Sequence, residues 1–246
     1  MSKFIIRPNL PECRVKKAII GNHPEAAELL RKTGIETVVL NDNMLIDFSV
    51  RNHADMAACY LGEGRIIIDK AQTKIAEELE KSGLKVYLTE KDISGDYPDD
   101  VVLNCAVIGE NLICNPKTAN GTILEENADK RLFSVKQGYC RCSVCPVTEN
   151  AFITDDIGIY NKTRDSLDVL LIEKGDILLE GKDYGFIGGA SAKVDRDTLL
   201  FFGNLSTHRN ACEIESFLAK HGVKHINLSD GPLRDIGGII PITETE

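Results

Sequence analysis

Four times along this chain an apolar run closes on Asn or Asp: Arg65-Ile66-Ile67-Ile68-Asp69, Asn111-Leu112-Ile113-Cys114-Asn115, Ala151-Phe152-Ile153-Thr154-Asp155 and Leu199-Leu200-Phe201-Phe202-Gly203-Asn204. A fifth copy, Phe4-Ile5-Ile6-Arg7-Pro8-Asn9, stands at the start of the chain instead of the end. Internal repeats decide architecture before any motif does, because one unit cannot bury its apolar face alone. A last strand displaced to the N-terminus is how a closed ring is fastened. On this reading residues 4–9 complete a fifth unit beside residues 238–242 and remove a free sheet edge.

Each unit carries a second short run rich in β-formers, at 36–40, 85–88, 132–135, 168–172 and 225–228. These read as buried strands. Helices are expected over 23–32, 74–81 and 207–221, each with apolar residues at helical spacing and a glycine just past the end (Gly34, Gly83, Gly222). Asn22-His23-Pro24 and Thr207-His208 read as helix starts. The third and fourth units show weaker helix patterns, since Asn120-Gly121 interrupts one and 161–166 is short and polar. Between the paired strands lie middle segments where unusual residues collect. These are 51–56 with His53 and Asp55, 97–105 with Asn104 and Cys105, 138–145 with Cys140, Cys142 and Cys145, 185–191 with Gly188-Gly189-Ala190-Ser191, and 232–238 with Arg234, Asp235 and Gly237-Gly238.

Over 246 residues, 43% hydrophobic content suits a buried core, and no Pro/Ser/Gly-rich linker divides the chain, so residues 1–246 read as one domain. No run approaches the roughly 18 to 20 apolar residues of a membrane span, and the N-terminus lacks a signal-peptide pattern. The expected compartment is the cytoplasm, where the eight cysteines stay reduced. A net charge of −9 argues against a nucleic-acid or anionic-membrane partner and leaves a small cationic or polar molecule as the expected ligand. No cofactor and no oligomeric state is indicated.

Five units of this kind, with polar middle segments at equivalent places, resemble the pentein or guanidine-modifying enzyme superfamily. More narrowly, the pattern resembles a bacterial group of that fold without an assigned activity. The resemblance implies an α/β fold: a pseudo-fivefold propeller of ββαβ-type units whose middle segments line a central funnel. Arginine and agmatine deiminases, dimethylarginine hydrolases and amidinotransferases of that superfamily attack a guanidinium carbon with a cysteine thiolate. A histidine moves protons and carboxylates hold the cation. His53-Ala54-Asp55 is similar to the family's His-x-Asp motif, with Asn52 where a glycine usually stands. The family's nucleophile follows a Gly-Gly near the chain end. Here Gly237-Gly238 is followed by Ile239-Ile240-Pro241, with no cysteine.

The substitutes for that nucleophile are Cys142 and Cys105, with His53 and Asp55 as their catalytic partners. Asn52, Asn104, Ser191, Arg234 and Asp235 are the expected substrate-binding residues. Arg141 beside Cys142 would lower the thiol pKa only if both side chains faced one way, and neighbours on a strand do not. Gly188-Gly189 reads as close backbone approach, not as a phosphate loop. Two other function classes remain open. One is a non-catalytic ligand- or partner-binding propeller, for which the ribosome anti-association factor is a precedent. The other is a metal protein with Cys140, Cys142 and Cys145 as ligands, although on a straight strand the third would face away.

Overall fold

The computed structural model describes residues 2–246. Eighteen strands run in chain order: β1 (Ser2–Phe4), β2 (Val15–Ile20), β3 (Glu36–Val39), β4 (Ala58–Gly62), β5 (Arg65–Ile68), β6 (Lys85–Leu88), β7 (Ala106–Ile108), β8 (Asn111–Cys114), β9 (Arg131–Ser134), β10 (Val144–Thr148), β11 (Ala151–Thr154), β12 (Asp168–Leu171), β13 (Ile177–Leu178), β14 (Ser191–Asp195), β15 (Thr198–Phe201), β16 (Lys224–Asn227), β17 (Leu233–Arg234) and β18 (Ile239–Thr245). The helices are α1 (Pro24–Lys32), α2 (Ala54–Ala57), α3 (Thr73–Lys81), α4 (Gly121–Glu126), α5 (Cys140–Ser143), α6 (Ile157–Thr163) and α7 (Ala211–Lys220). Among the described residues no helix is long and apolar enough to cross a membrane.

The fold is mixed α/β, and the same sheet order recurs five times: β18-β2-β3, β4-β5-β6, β7-β8-β9, β10-β11-β12 and β14-β15-β16. In each, an antiparallel pair is followed by a helix and a parallel third strand. The central strands β5, β8, β11 and β15 are buried almost throughout, because sheet neighbours flank them and side chains cover both faces. That double burial explains their unbroken apolar runs.

The structure corrects two expectations about the strands. The runs at 36–40, 85–88, 132–135, 168–172 and 225–228 are edge strands, half-exposed or exposed along most of their length. Each is the last strand of its sheet, with one side unpaired. The fifth central strand is β2, not residues 4–9. The N-terminal strand ends at Phe4, and farther on Pro8 has no N–H to donate and Asn9 takes a φ of 60°, so residues 4–9 do not run on as one strand. Ser2–Phe4 pair with Thr243–Thr245 of β18, and the Ile5 N–H donates to the Ile242 carbonyl (3.1 Å). Residues beyond it cross to the next sheet, where the Ile5 carbonyl accepts from Glu63 N–H (3.0 Å) and the Tyr60 hydroxyl (2.7 Å).

The helix starts explain the weaker patterns. Asn120 caps α4 by accepting from Thr122 N–H (2.9 Å), and Asp156 caps α6 through Ile159 N–H (2.8 Å). Each satisfies an orphan donor of a short helix that periodicity alone would not reveal. The helix expected over 207–221 begins at Ala211, since 205–207 form a separate 3-10 turn capped by Asn204.

Candidate active site

Two of the middle segments read as strands are instead one-turn helices, α2 and α5, each leading directly into a strand. Four residues are too few to display a helical period. The consequence is chemical, since a single turn brings Asp55 and Cys142 together. The Cys142 thiol lies 3.0 Å from Asp55 Oδ2. Asn104 bolts the two turns to each other. Its Oδ1 accepts from the N–H groups of Arg141 (2.8 Å) and Cys142 (3.2 Å), and its Nδ2 donates to the Asp55 carbonyl (3.2 Å) and towards Cys142 Sγ (3.0 Å).

His53 precedes α2 and does not cap it with its side chain. Its Nδ1 lies 3.7 Å from Asp235 Oδ1, too far for a hydrogen bond. Gly237 makes this approach possible. It has a φ of 72°, and a Cβ there would overlap the His53 side chain. Asp235 accepts from Phe186 N–H (2.8 Å) and Gly237 N–H (3.0 Å). Arg141, also buried, spends its donors on the carbonyls of Gly188 (3.1 Å), Val144 (3.3 Å) and Ile239 (3.4 Å). It therefore stands as a fixed cation beside the two aspartates.

Burial governs the protonation of this cluster. It pushes the Asp55 carboxyl up, and Asp235 up to about 6 against the pull of its two backbone donors. Burial, reinforced by Asp55 and Asp235, also raises the Cys142 thiol well above its ordinary value. The resting thiol is neutral and donates to Asp55 Oδ2. Burial lowers His53, which rests as neutral imidazole.

Beside this cluster opens a cavity of about 570 Å³, with His53 and Asp235 on its wall together with His23, Asn52 and Arg234. Cys142 and Asp55 are not on that wall. His23 is a functional candidate whose sequence context suggests only a helix start. It is indeed the N-cap of α1, but its ring makes no cap; it sits 5.8 Å from the His53 ring, and burial takes it down to about 4. Phe48 also lines the cavity, its ring lying against Gly181, and outside it Lys182 pairs with Asp47 (2.7 Å).

The remaining expected site residues fall elsewhere. The Ser191 hydroxyl donates to the Ile187 carbonyl (2.7 Å) and is buried away from the cavity. Cys105 packs in an apolar cluster with Cys59 and Cys114, sharing a hydrogen bond with the Cys114 thiol, and that bond together with burial raises its pKa well above the ordinary value. Cys140, Cys142 and Cys145 belong to three different apolar clusters, because a helical turn followed by a strand fans them apart. Among the described residues no group of three or more His, Cys, Asp and Glu is placed to hold a metal ion.

Asp155 adds a third buried carboxyl near Asp235, raised by burial to about 7. Between pH 4 and 7 the unfolded chain releases this proton while the native state keeps it, so stability falls as pH rises through that window. The accumulated cost is about 4 kcal/mol above pH 7. Asp155→Asn removes that slope. Urea unfolding at pH 4.5 and pH 8 should show a smaller difference for the variant than for the parent protein.

None of the curated proteins compared matches the sequence. Among solved structures, the inosamine-phosphate amidinotransferase of Streptomyces griseus superposes with a TM-score of 0.64 at 13% identity, over 100% of this chain and 98% of that one. The amidinotransferase SxtG of the saxitoxin pathway from Microseira wollei gives 0.59 at 11% identity, covering 96% and 97%. The DDAH of Pseudomonas aeruginosa, solved with citrulline, gives 0.55 at 12% identity, covering 94% and 99%. These are enzymes of the pentein superfamily, and the fold is similar to theirs. The model of one sequence family matches residues 19–240, and the chain belongs to it: the family of unknown function DUF6873.

Proposed function

We propose that the five sheets close into one pseudo-fivefold propeller domain, and that its centre binds a guanidine- or amidine-type small molecule. The repeated sheet order and the pairing of the two chain ends through β1 and β18 support the ring. The eight free cysteines suit a reducing cytoplasm. One observation carries the ligand class: the cluster is rich in unmet acceptors. His23 Nε2, His53 Nδ1 and Asp55 Oδ1 are buried without a hydrogen-bond partner, and Asp235 adds a carboxylate on the cavity wall. A neutral imidazole offers one acceptor nitrogen and a carboxylate offers only acceptors, so the complement is a compact cation with several N–H donors.

Cys142 is the nucleophile of this reading. Its proton passes to Asp55, the sulfur attacks the guanidinium carbon, and that same proton, relayed from Asp55 through His53, goes to the departing amine as the C–N bond breaks. The amidino-thioether left on Cys142 is then released to water or to an acceptor amine. Asp235 holds the cation, and Asn104 positions the sulfur.

A second reading, binding without turnover, is favoured by the buried, strongly protonated state of Cys142 and its position off the cavity wall. Exposure to 2-chloroacetamidine followed by peptide mass spectrometry separates them. Catalysis predicts a single amidine adduct on Cys142, absent in Cys142→Ser and reduced at least ~10-fold in His53→Ala, the loss expected when a proton-transfer group is removed. Thermal stabilisation by agmatine with no adduct and no consumption of agmatine would establish the binding reading instead.

A further inference from the structure

Strand β14 starts beside the candidate site, at the Gly189 turn packed on Asp235, and ends at a hairpin lining a different cavity of about 620 Å³. Lys193 lies at the base of this cavity and is only 3% exposed. Its ammonium makes a single hydrogen bond, to the Arg196 carbonyl (2.7 Å). An ammonium has three donors, and a buried one without a countercharge is costly.

The carboxylates around the cavity are already engaged. Glu12 and Glu149 both pair with Arg7 (2.8 and 2.7 Å). Asp197 is turned to Lys224 (3.5 Å), and the nearby Asp195 accepts from the Arg196 backbone N–H (2.7 Å). Among the described residues neither Lys193 nor the Arg196 guanidinium has a carboxylate partner. Two unpaired cations, one buried at the base and one exposed at the rim, face a space within the volume range of small-molecule sites. Burial also lowers Lys193 to about 8, only partly offset by the more distant Asp197 and Asp195.

The geometry points to a binding site for a small oxyanion, a phosphate or a compact carboxylate, held by Lys193 at the base and by Arg196 at the rim. The fork of Arg196 suits either group in bidentate fashion, and Lys193 supplies the buried point charge. The cavity has room for the organic body that carries the anion.

Isothermal calorimetry on the full chain tests this with inorganic phosphate and with succinate, each against sodium chloride of equal ionic strength. Saturable binding of one or both is expected, and the anion that binds identifies the source. Lys193→Met should weaken that binding at least ~10-fold, the scale of a lost charge-assisted hydrogen bond. Arg196→Gln, at an exposed position that leaves the fold intact, should weaken it about 3- to 10-fold. No saturable heat beyond the chloride control, or unchanged affinity in Arg196→Gln, would overturn the proposal even if Lys193→Met failed to fold.

Discussion

An Asp235→Asn variant is expected to bind agmatine or acetamidine about 30- to 1000-fold more weakly than the parent protein. This is the 2–4 kcal/mol typical of removing one partner from a buried charge pair. Asp235 is the carboxylate on the cavity wall, fixed by two backbone donors and backed by Arg141. In the variant one amide end faces an N–H donor, so some stability is lost as well. The pH profile separates the two effects. Because Asp235 titrates at about 6, cation binding by the parent protein strengthens as pH rises through that value and the carboxyl ionises. In the variant this rise disappears, which a merely loosened fold would not produce. Calorimetric titrations between pH 5 and 8 supply the measurement, and an unchanged rise through pH 6 would remove Asp235 from the site.

Gly188→Ala should be strongly destabilising. A Cβ at this position would overlap the carbonyl oxygens of Arg141, Cys142 and Val144 at once. All three are backbone atoms, so no side-chain rotation relieves the clash, and the one-turn helix that carries Cys142 must move. The Gly188 carbonyl also holds the Arg141 guanidinium (3.1 Å), so the same shift disturbs the cation beside Asp55 and Asp235. About 3 kcal/mol or more is expected, equivalent to a fall of about 6–12 °C in Tm for a chain of this size. Gly121→Ala is the control. Nothing lies within 4 Å of a Cβ there, in the first turn of α4, and its Tm should stay within a few degrees.

Much of this architecture was legible in the residues. Runs such as Arg65-Ile66-Ile67-Ile68 are apolar at nearly every position because β5 is buried on both faces, and that is a local signal. The edge strands were legible as strands but not as edges. Lys85-Val86-Tyr87-Leu88 has the β-formers of a core strand, and only its place beside β5 leaves its outer side bare. The N-terminal strand was misplaced for a related reason: residues 4–9 carry the right pattern, but the Ile5 carbonyl turns to Glu63 and Tyr60 of the next sheet, and Val15–Ile20 takes the central position.

The candidate site was less legible. His53, Asp55 and Cys142 stood out by residue type, yet the one-turn helices α2 and α5 that hold them are too short to leave a period. Arg141 looked like a strand neighbour facing away from Cys142. In the structure its guanidinium lies among backbone carbonyls and acts on Asp55 and Asp235. His23 carried no signal beyond its place at a helix start, since a ring that fails to cap its helix is visible only in three dimensions.

By itself the sequence determined a five-times-repeated α/β pattern, the apolar central strands and the absence of a cysteine after Gly237-Gly238. These are local properties of composition and spacing. Tertiary structure alone decided that Gly237 makes room for His53, that Asn104 joins the turns carrying Asp55 and Cys142, and that Cys105, Ser191 and the other thiols lie elsewhere. Those outcomes depend on close approach between segments far apart in the chain, as when Asn104 meets Asp55 or His53 meets Asp235. Contacts at such separations are set by packing and backbone geometry, which no local run of residues encodes.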